Sequence, residues 1–211
     1  MPKGSEQLTK ARKDEIISAC ARLYDVLPFK AVTLRKIGEN TTFSRASVYN
    51  YFKTREEIFL ALLQREYEEW TADILALAAQ ARTDADGFAE KFSALTARRS
   101  RMFKLLSLNI YDMEAGSREE NLTQFKRAYK NAMLALRSCL SAHFPHLGER
   151  GEERFVYALY PFLFGVYPYT HATEKQRRAM EAAGMQVPQF DEYELTRSFT
   201  AALLHGLLRG E

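Results

Sequence analysis

Cysteine is scarce in this sequence, with only Cys20 and Cys139 among 211 residues. Two thiols so far apart are typical of buried cysteines in a reducing cytoplasm. Long apolar runs are also missing, because none reaches the roughly 18–20 residues that a membrane-spanning helix requires. The stretch from Met1 to Lys13 is polar and charged and has no apolar signal-peptide core. We therefore expect a cytoplasmic protein with no membrane partner.

The sequence also lacks the patterns of an enzyme active site. No glycine-rich phosphate loop and no Ser-His-Asp pattern occur, and Gly148–Gly151 is expected to form a turn. Cys139, His143 and His146 have a helical spacing that could hold a metal. Pro145, however, interrupts the helix between the two histidines. We predict no catalytic residue, no metal and no cofactor, and keep a helical-bundle enzyme as a rival interpretation.

Charge is distributed unevenly along the chain. Residues 1–55 contain 11 Lys and Arg against 5 Asp and Glu, which gives this segment a net charge of +6. Because the whole chain carries +3, the remaining residues carry −3. A chance fluctuation is the simplest explanation. The alternative is a small basic nucleic-acid-binding unit joined to a mildly acidic body.

The whole sequence has the apolar periodicity of helices. Apolar residues recur at spacings of three and four, and no stretch alternates with period two for long enough to predict a strand. We therefore predict an all-α fold. Capping boxes are expected at Thr54–Glu57 and Ser117–Glu120, and the polar loop 172–189 has room for a short helix. The expected helices cover residues 9–27, 33–40, 44–52, 54–81, 84–99, 100–112, 117–144, 152–170 and 191–208.

Residues 33–52 have the pattern of a helix-turn-helix, in which two short helices are separated by a tight turn. Thr33 and Ser44 are the expected N-caps of the two helices. Gly38 supplies the small residue that is needed where the helices cross. The small polar stretch Ser44–Ser47 lets the N–H groups of the second helix approach phosphates and base edges. The expected apolar interface consists of Ile37, Phe43, Val48 and Phe52.

A more specific pattern lies within Phe29–Phe59. Its strongest part is the run Tyr49-x-Tyr51-Phe52-Lys53, followed by Glu56-Glu57-Ile58. Further matching residues are Phe29, Val32-Thr33, Arg35-Lys36-Ile37 and Ser44. This segment resembles the DNA-binding domain of the tetracycline-repressor-like (TetR) family. The turn Thr41-Thr42-Phe43 departs from the Ala-Gly-Val that the family usually has, and Ala46 stands where the family often has glycine.

The resemblance implies an N-terminal three-helix, helix-turn-helix DNA-binding domain over residues 1–53, with the helix Ser44–Phe52 in the major groove of double-stranded DNA. Arg45 is the first choice for a base contact, because arginine can bridge guanine O6 and N7. Tyr51 has an alternative interpretation as a core aromatic, and Arg45, Lys36 and Lys53 have one as solvated charges. The implied DNA contacts are Thr33, Arg35, Ser44, Arg45, Ala46, Ser47, Tyr49, Asn50, Tyr51 and Lys53.

The same resemblance implies that residues 54–211 form a helical domain for effector binding and dimerisation. Aromatic residues are abundant there, and most of them are expected to be ordinary core. A pocket lined by aromatic and methionine side chains would suit an apolar or aromatic effector of unknown identity. The expected pocket residues are Phe92, Met102, Phe103, Tyr111, Phe125, Tyr129 and Phe162.

The resemblance further implies a homodimer, in which the last two long helices pair with their symmetry mates. A two-fold dimer would match a palindromic operator. The alternative is that both apolar rows belong to the core of one chain. The expected interface residues are Phe155, Leu159 and Val166 on the first helix and Phe199, Ala202, Leu203, Gly206 and Leu207 on the second.

Together these features predict a transcriptional regulator, with repression preferred to activation, that is controlled by a small molecule. The effector would shift the helix 54–81 and thereby change the separation of the two recognition helices. In the alternative, the regulator answers to a protein partner and binds no small effector. A body packed without a cavity would favour that alternative.

Overall fold

The protein is built from helices. A computed structural model describes residues 3–108, 110–186 and 189–210, with the side chains of Lys3 and Arg45 outside the description. Within these ranges every regular element is helical, which confirms the predicted all-α fold. The elements are α1 (Lys3–Val26), a 3₁₀ turn (Phe29–Ala31), α2 (Leu34–Glu39), α3 (Arg45–Val48), α4 (Arg55–Ala78), α5 (Ala85–Ala97), α6 (Ser100–Leu106), α7 (Ile110–Ala115), α8 (Glu119–His143), α9 (Gly148–Thr170), α10 (Glu174–Ala182) and α11 (Glu192–Arg209).

Capping side chains define where several helices begin. Thr33 accepts a hydrogen bond from the backbone N–H three residues later, which confirms it as the N-cap of α2. Asp84 and Asp191 cap α5 and α11 in the same way. Before α4, the hydroxyl of Thr54 accepts the backbone N–H of Glu57 at 3.1 Å. Each of these bonds satisfies an N–H group that has no partner within its own helix.

Several predicted helix boundaries are wrong. Ser117 does not cap α8, because its hydroxyl donates to the carbonyl of Met113 at 2.7 Å and closes the end of α7, while α8 begins at Glu119. The single helix expected over residues 100–112 is divided into α6 and α7. The expected turn at Gly148–Gly151 is the first turn of α9. The polar loop does contain a short helix, α10.

The helices pack into two compact units. Unit 1 comprises Met1–Glu66 and Asn109–Tyr129, and unit 2 comprises Tyr67–Leu108 and Lys130–Glu211. Within unit 1, α2 packs against both α1 and α3. Within unit 2, α11 packs against α5 and α9, and α9 also packs against α6. The unit that contains the helix-turn-helix therefore extends past residue 53, and the domain boundary expected there stays a prediction.

Unit 2 has an aromatic core around Trp70. This side chain is fully buried, and its Nε1 donates to the hydroxyl of Thr96 at 3.1 Å. The rings of Phe92 and Tyr160 lie 6.1 and 6.2 Å from the Trp70 ring, measured between centroids. Rings in tilted and edge contact stabilise a core beyond the area that they bury. We call Trp70, Phe92 and Tyr160 the aromatic cluster.

Two further findings concern the described part of the chain. None of its helices combines the length and apolar content that crossing a membrane demands. No three His, Cys, Asp or Glu side chains in it are grouped to hold a metal ion. Both cysteines are buried, and burial raises the pKa of the Cys139 thiol to about 12. This thiol is therefore protonated and unreactive at neutral pH.

Candidate DNA-binding face

Helices α2 and α3 pack through a small apolar core. Ile37 and Val48 have no exposed surface, and Phe52 is 3% exposed. Gly38 is buried in α2, and Phe43 is half-buried. The predicted interface of the helix-turn-helix is thus confirmed, with Phe43 at its edge.

The recognition helix α3 is shorter than expected, because α-helical geometry ends at Val48 rather than at Phe52. The chain then continues in tight turns. The N–H groups of Asn50 and Tyr51 donate to the carbonyls of Ser47 and Val48 at 3.1 and 3.0 Å. Bonds between residues three apart wind the chain more tightly than an α-helix does. Residues 49–51 therefore extend α3 as turns.

A glutamate from α1 holds the turn between α2 and α3. Glu15 accepts hydrogen bonds from the backbone N–H of Thr42 and from its hydroxyl, the latter at 3.1 Å. Thr41 donates its hydroxyl to the carbonyl of Gly38 at 2.9 Å. No residue other than glycine has a positive φ in the described ranges. The turn Thr41-Thr42-Phe43 therefore needs no left-handed residue, although the family usually has glycine there.

Most of the predicted DNA contacts are accessible. Tyr49 is 41% exposed despite its aromatic ring. Ser47 and Tyr51 are half-buried, and the side chain of Arg45 lies outside the description. The exposed members of the set are Thr33, Arg35, Ser44, Ala46, Tyr49, Asn50 and Lys53.

Two of the exposed cations have partners at the surface. The ammonium of Lys53 donates to the carbonyl of Tyr49 at 2.8 Å. Arg35 pairs with Glu39 at 2.8 Å, and the hydrogen bond to that carboxylate raises the pKa of Arg35. Exposed pairs of this kind contribute little to stability. Arg35 and Lys53 are both exposed, so both cations are accessible to phosphate oxygens.

Tyr51 has both a packing contact and a polar contact. Its ring meets the ring of Phe43 edge-on, with centroids 6.3 Å apart. The guanidinium of Arg12 lies over Phe43, 5.4 Å from the ring centroid, and also donates to the Tyr51 hydroxyl at 3.5 Å. The half-buried ring agrees with the interpretation of Tyr51 as a packing residue. Arg12 is a further cation beside the predicted contacts and is not a member of the predicted set.

An ion pair with a buried carboxylate stands at the start of α4. Glu57 has no exposed side-chain surface, and Arg118 is 44% exposed. The Glu57 carboxylate accepts hydrogen bonds from Arg118 Nε at 2.6 Å and Nη2 at 3.0 Å. It also accepts the backbone N–H groups of Arg118 and Lys53, at 3.1 and 2.7 Å. Arg118 Nη2 donates in addition to the carbonyl of Tyr51 at 3.1 Å.

The pKa of each member of this pair is shifted in the direction that favours its charged form. Burial alone would raise the pKa of Glu57, because a low dielectric disfavours its charged form. The hydrogen bonds from Arg118 and from the Lys53 backbone outweigh burial, so the pKa of Glu57 lies below its ordinary value of 4.5. The same pairing raises the pKa of Arg118. The pair is not predictable from the sequence, because 61 residues separate its members and no local pattern connects them.

Two family descriptions match the chain. "Bacterial regulatory proteins, tetR family" matches residues 16–62, and "Tetracyclin repressor-like, C-terminal domain" matches residues 64–211. The chain belongs to the TetR family of transcriptional regulators. It is therefore a DNA-binding regulator of the repressor type, from a family whose members bind operators as dimers.

Individual relatives are distant. The HTH-type transcriptional repressor Rv1474c of Mycobacterium tuberculosis is 24% identical, over 46% of this chain and 67% of that protein. The fatty acid degradation regulator FadR from Bacillus halodurans has a TM-score of 0.57 at 16% identity, covering 92% of this chain and 94% of FadR. The TetR family repressor AlkX from Dietzia sp. strain DQ12-45-1b has a TM-score of 0.56 at 13% identity, covering 93% and 95%. At these identities the two structures establish the TetR fold alone.

The predicted effector-pocket residues of this TetR-family chain are divided between the units. Tyr111 is 78% exposed, so it does not line an enclosed pocket in the described chain, contrary to the prediction. Phe92, Met102 and Phe103 are fully buried. Unit 1 contains Tyr111, Phe125 and Tyr129, and unit 2 contains Phe92, Met102, Phe103 and Phe162.

The predicted dimer row on α9 requires a correction. Phe155, Leu159 and Val166 have no exposed surface within one chain, because α9 packs against α6 and α11. A second subunit cannot contact fully buried side chains, so these three are core residues of the protomer. Phe199 stacks on Phe162 of the same chain, with ring centroids 3.9 Å apart. The remaining predicted residues on α11 are exposed or half-buried: Ala202, Leu203, Gly206 and Leu207.

Proposed function

We propose that this TetR-family regulator is a dimeric repressor that binds a palindromic operator and releases it when a small apolar or aromatic effector binds. The observation that supports DNA recognition best is the set of exposed polar groups on the helix-turn-helix, held by an apolar core beneath. DNA binding requires hydroxyl, amide and cationic groups for phosphates, and side chains at the start of a recognition helix for bases.

Roles follow from position along the chain. Ser44–Ser47 stand at the start of α3, the part of a recognition helix that contacts base edges. Arg45 is proposed to bind guanine through two hydrogen bonds. Tyr49–Lys53 supply hydroxyl, amide and ammonium groups that suit phosphates. Thr33 and Arg35, at the start of α2, are proposed to contact the DNA backbone.

Fluorescence anisotropy with labelled DNA tests this proposal. The DNA is taken from upstream of the regulator's own gene or selected from random sequences, and a salt series is recorded. Lys53→Ala should weaken binding to all DNA and reduce the salt slope by about 1, whereas Arg45→Ala should cost about 1–3 kcal/mol and relax specificity. Lys91→Ala is the matched control, because Lys91 is an exposed lysine on α5 in unit 2. An equal loss in the control, or no DNA binding at low salt, would contradict the proposal.

A second copy is proposed to pack on the exposed faces of α9 and α11. On α9, Tyr157 is 65% exposed despite its aromatic ring, and Pro161 one turn later is also exposed. Gly165 continues this row, and Gly206 lies inside α11. A Cβ at either glycine would meet no described atom within 4 Å outside its own helical turn. Since glycine weakens a helix, a closely approaching partner helix would explain both residues.

The effector is proposed to bind in unit 2, beside the aromatic cluster. Aromatic rings favour apolar and aromatic ligands. Phe92, Met102 and Phe103 are fully buried, so an effector has to displace their side chains. Trp70 is the only tryptophan of the chain and packs against Phe92. Its fluorescence therefore reports on this region.

Titration with fatty acids and with aromatic hydrocarbons tests the effector. Trp70 fluorescence and operator release should both change, at the same compound concentration. Phe92→Leu should weaken both responses, because it removes a ring that contacts Trp70. Lys91→Ala should leave both unchanged. Fluorescence changes without operator release would contradict the effector role, and no response to any compound would favour control by a protein partner.

A further inference from the structure

A single arginine outside the helix-turn-helix joins separate segments of unit 1. Arg118 precedes α8, and its side chain donates to the carboxylate of Glu57 and to the carbonyl of Tyr51. A second bond links the same segments, because the hydroxyl of Thr54 donates to the carbonyl of Gly116 at 2.8 Å. The residues just before α8 are therefore attached to the junction between α3 and α4.

The groups held at this junction belong to the backbone. Arg118 binds the carbonyl of Tyr51 directly, and it holds Glu57, which in turn accepts the N–H of Lys53. Hydrogen bonds to backbone groups define the path of the chain and not merely one side-chain orientation. Arginine suits this task, because its planar guanidinium presents several donors at once, whereas lysine has one nitrogen.

The buried charge of Glu57 requires Arg118 at this position. Glu57 is fully buried, and a buried carboxylate requires a cation and hydrogen bonds to remain ionised. Arg118 supplies the cation, and the backbone N–H groups of Lys53 and Arg118 supply further donors. A displacement of Arg118 would leave the carboxylate buried without its cation. The α3–α4 junction is therefore coupled to the position of Arg118.

We propose that Arg118 is a positioning residue for operator binding, which holds the backbone of Tyr49–Lys53 where it presents the recognition helix to DNA. The inference rests on the DNA binding described under the proposed function. Arg118 lies within the C-terminal family match, residues 64–211, and outside the helix-turn-helix match, residues 16–62. DNA recognition then depends on a residue that is not part of the helix-turn-helix sequence.

Three variants test the role of Arg118. Arg118→Lys keeps the charge but removes the planar fork. The double variant Glu57→Gln and Arg118→Gln removes both charges, so that no unpaired charge remains buried. The matched control is Asp73→Asn with Arg99→Gln, because Arg99 donates to Asp73 at 2.6 and 3.0 Å in unit 2. Circular dichroism establishes a temperature at which every variant is folded.

Binding of the selected operator and of random DNA is then compared by anisotropy. Operator affinity should fall about 5- to 150-fold in both Arg118 variants, the range expected for the loss of one base contact. Affinity for random DNA should fall by a smaller factor, since random DNA uses the phosphate contacts of Tyr49–Lys53 but not the base contacts at the start of α3. Hydrogen exchange should be faster at the Lys53 amide in both variants. The control variant should change none of these three quantities.

Several results would overturn the inference. Wild-type operator affinity in both folded Arg118 variants would show that Arg118 positions nothing. An equal loss on operator and random DNA would make it a phosphate contact, and an equal loss in the Arg99 control would reduce it to general stability. If the wild-type protein selects no operator, the proposed function itself fails and the inference fails with it. A loss of operator affinity confined to the Arg118 variants can be observed only if the wild-type protein binds an operator, as the proposed function states.

Discussion

Replacing Gly165 or Gly206 should affect the stability of one chain and the stability of the proposed dimer differently. Both glycines lie inside long helices, where glycine costs about 1 kcal/mol relative to alanine. A Cβ at either position would meet no described atom within 4 Å outside its own helical turn. Gly→Ala should therefore raise the unfolding free energy of the protomer by about 0.4–1 kcal/mol. For a chain of this size, Tm should rise by roughly 1–4 °C.

The proposed dimer should be weakened by a large side chain at these positions. If a partner helix approaches these glycines closely, leucine at either position overpacks the interface at about 1–3 kcal/mol. The dimer Kd should then rise about 5- to 150-fold. Sedimentation equilibrium over a dilution series measures this Kd, and operator affinity should fall with it. Ala94→Leu is the control, because it adds similar bulk at an exposed position of α5.

A specific result would refute this reasoning. If Gly165→Leu and Gly206→Leu both keep the wild-type dimer Kd, the exposed faces of α9 and α11 are not the interface. The same holds if Ala94→Leu weakens the dimer as strongly as they do. If Gly→Ala lowers Tm at a concentration where the protein is monomeric, the statement that a Cβ fits at these positions is wrong.

Further predictions concern three carboxylates. Folding lowers the pKa of Glu57, so the Glu57 carboxylate stabilises the folded protein fully above its ordinary pKa of 4.5. This stabilisation is lost as pH falls through the folded-state pKa. Glu57→Gln should therefore reduce the loss of unfolding free energy at acid pH, measured by urea unfolding. Burial raises the pKa of Glu192, so this residue contributes fully to the free energy of unfolding below pH 4.5, and the contribution is lost as pH rises. Relative to the wild type, Glu192→Gln should therefore gain stability between pH 4.5 and pH 7. Glu15→Ala should cost about 1 kcal/mol and lower operator affinity more than random-DNA affinity, because it releases two hydrogen bonds from Thr42. Thr42→Ala should have a smaller effect, and an equal effect on both DNAs would contradict a role for Glu15 in holding the turn.

Local sequence signals predicted most helices well, and the failures have a physical explanation. Thr33 caps α2 as expected, because capping involves residues only three apart. Ser117 has the same local pattern but closes α7 instead, since its hydroxyl reaches the carbonyl of Met113. The two outcomes differ because a hydroxyl can serve either the helix before it or the helix after it. Packing around the junction selects between them.

The face of α9 that meets the core could not be derived from periodicity. Its sequence contains two apolar rows, one with Leu159 and the other with Tyr157 and Pro161. The first row was predicted to meet a partner subunit, but Leu159 is fully buried within the chain. Periodicity shows that a helix has an apolar face, but it does not show what that face packs against.

The sequence by itself determined the helical class, the helix-turn-helix core and the TetR motif, because periodicity, caps and turns act over a few residues. The tertiary structure decided which row of α9 is buried, how Glu15 holds the turn before α3 and where the charge of Glu57 is balanced. Glu57 and Arg118 stand 61 residues apart, so their contact arises only when the intervening helices have packed. A buried charge is stable only with its partner in place, and the complete fold places that partner.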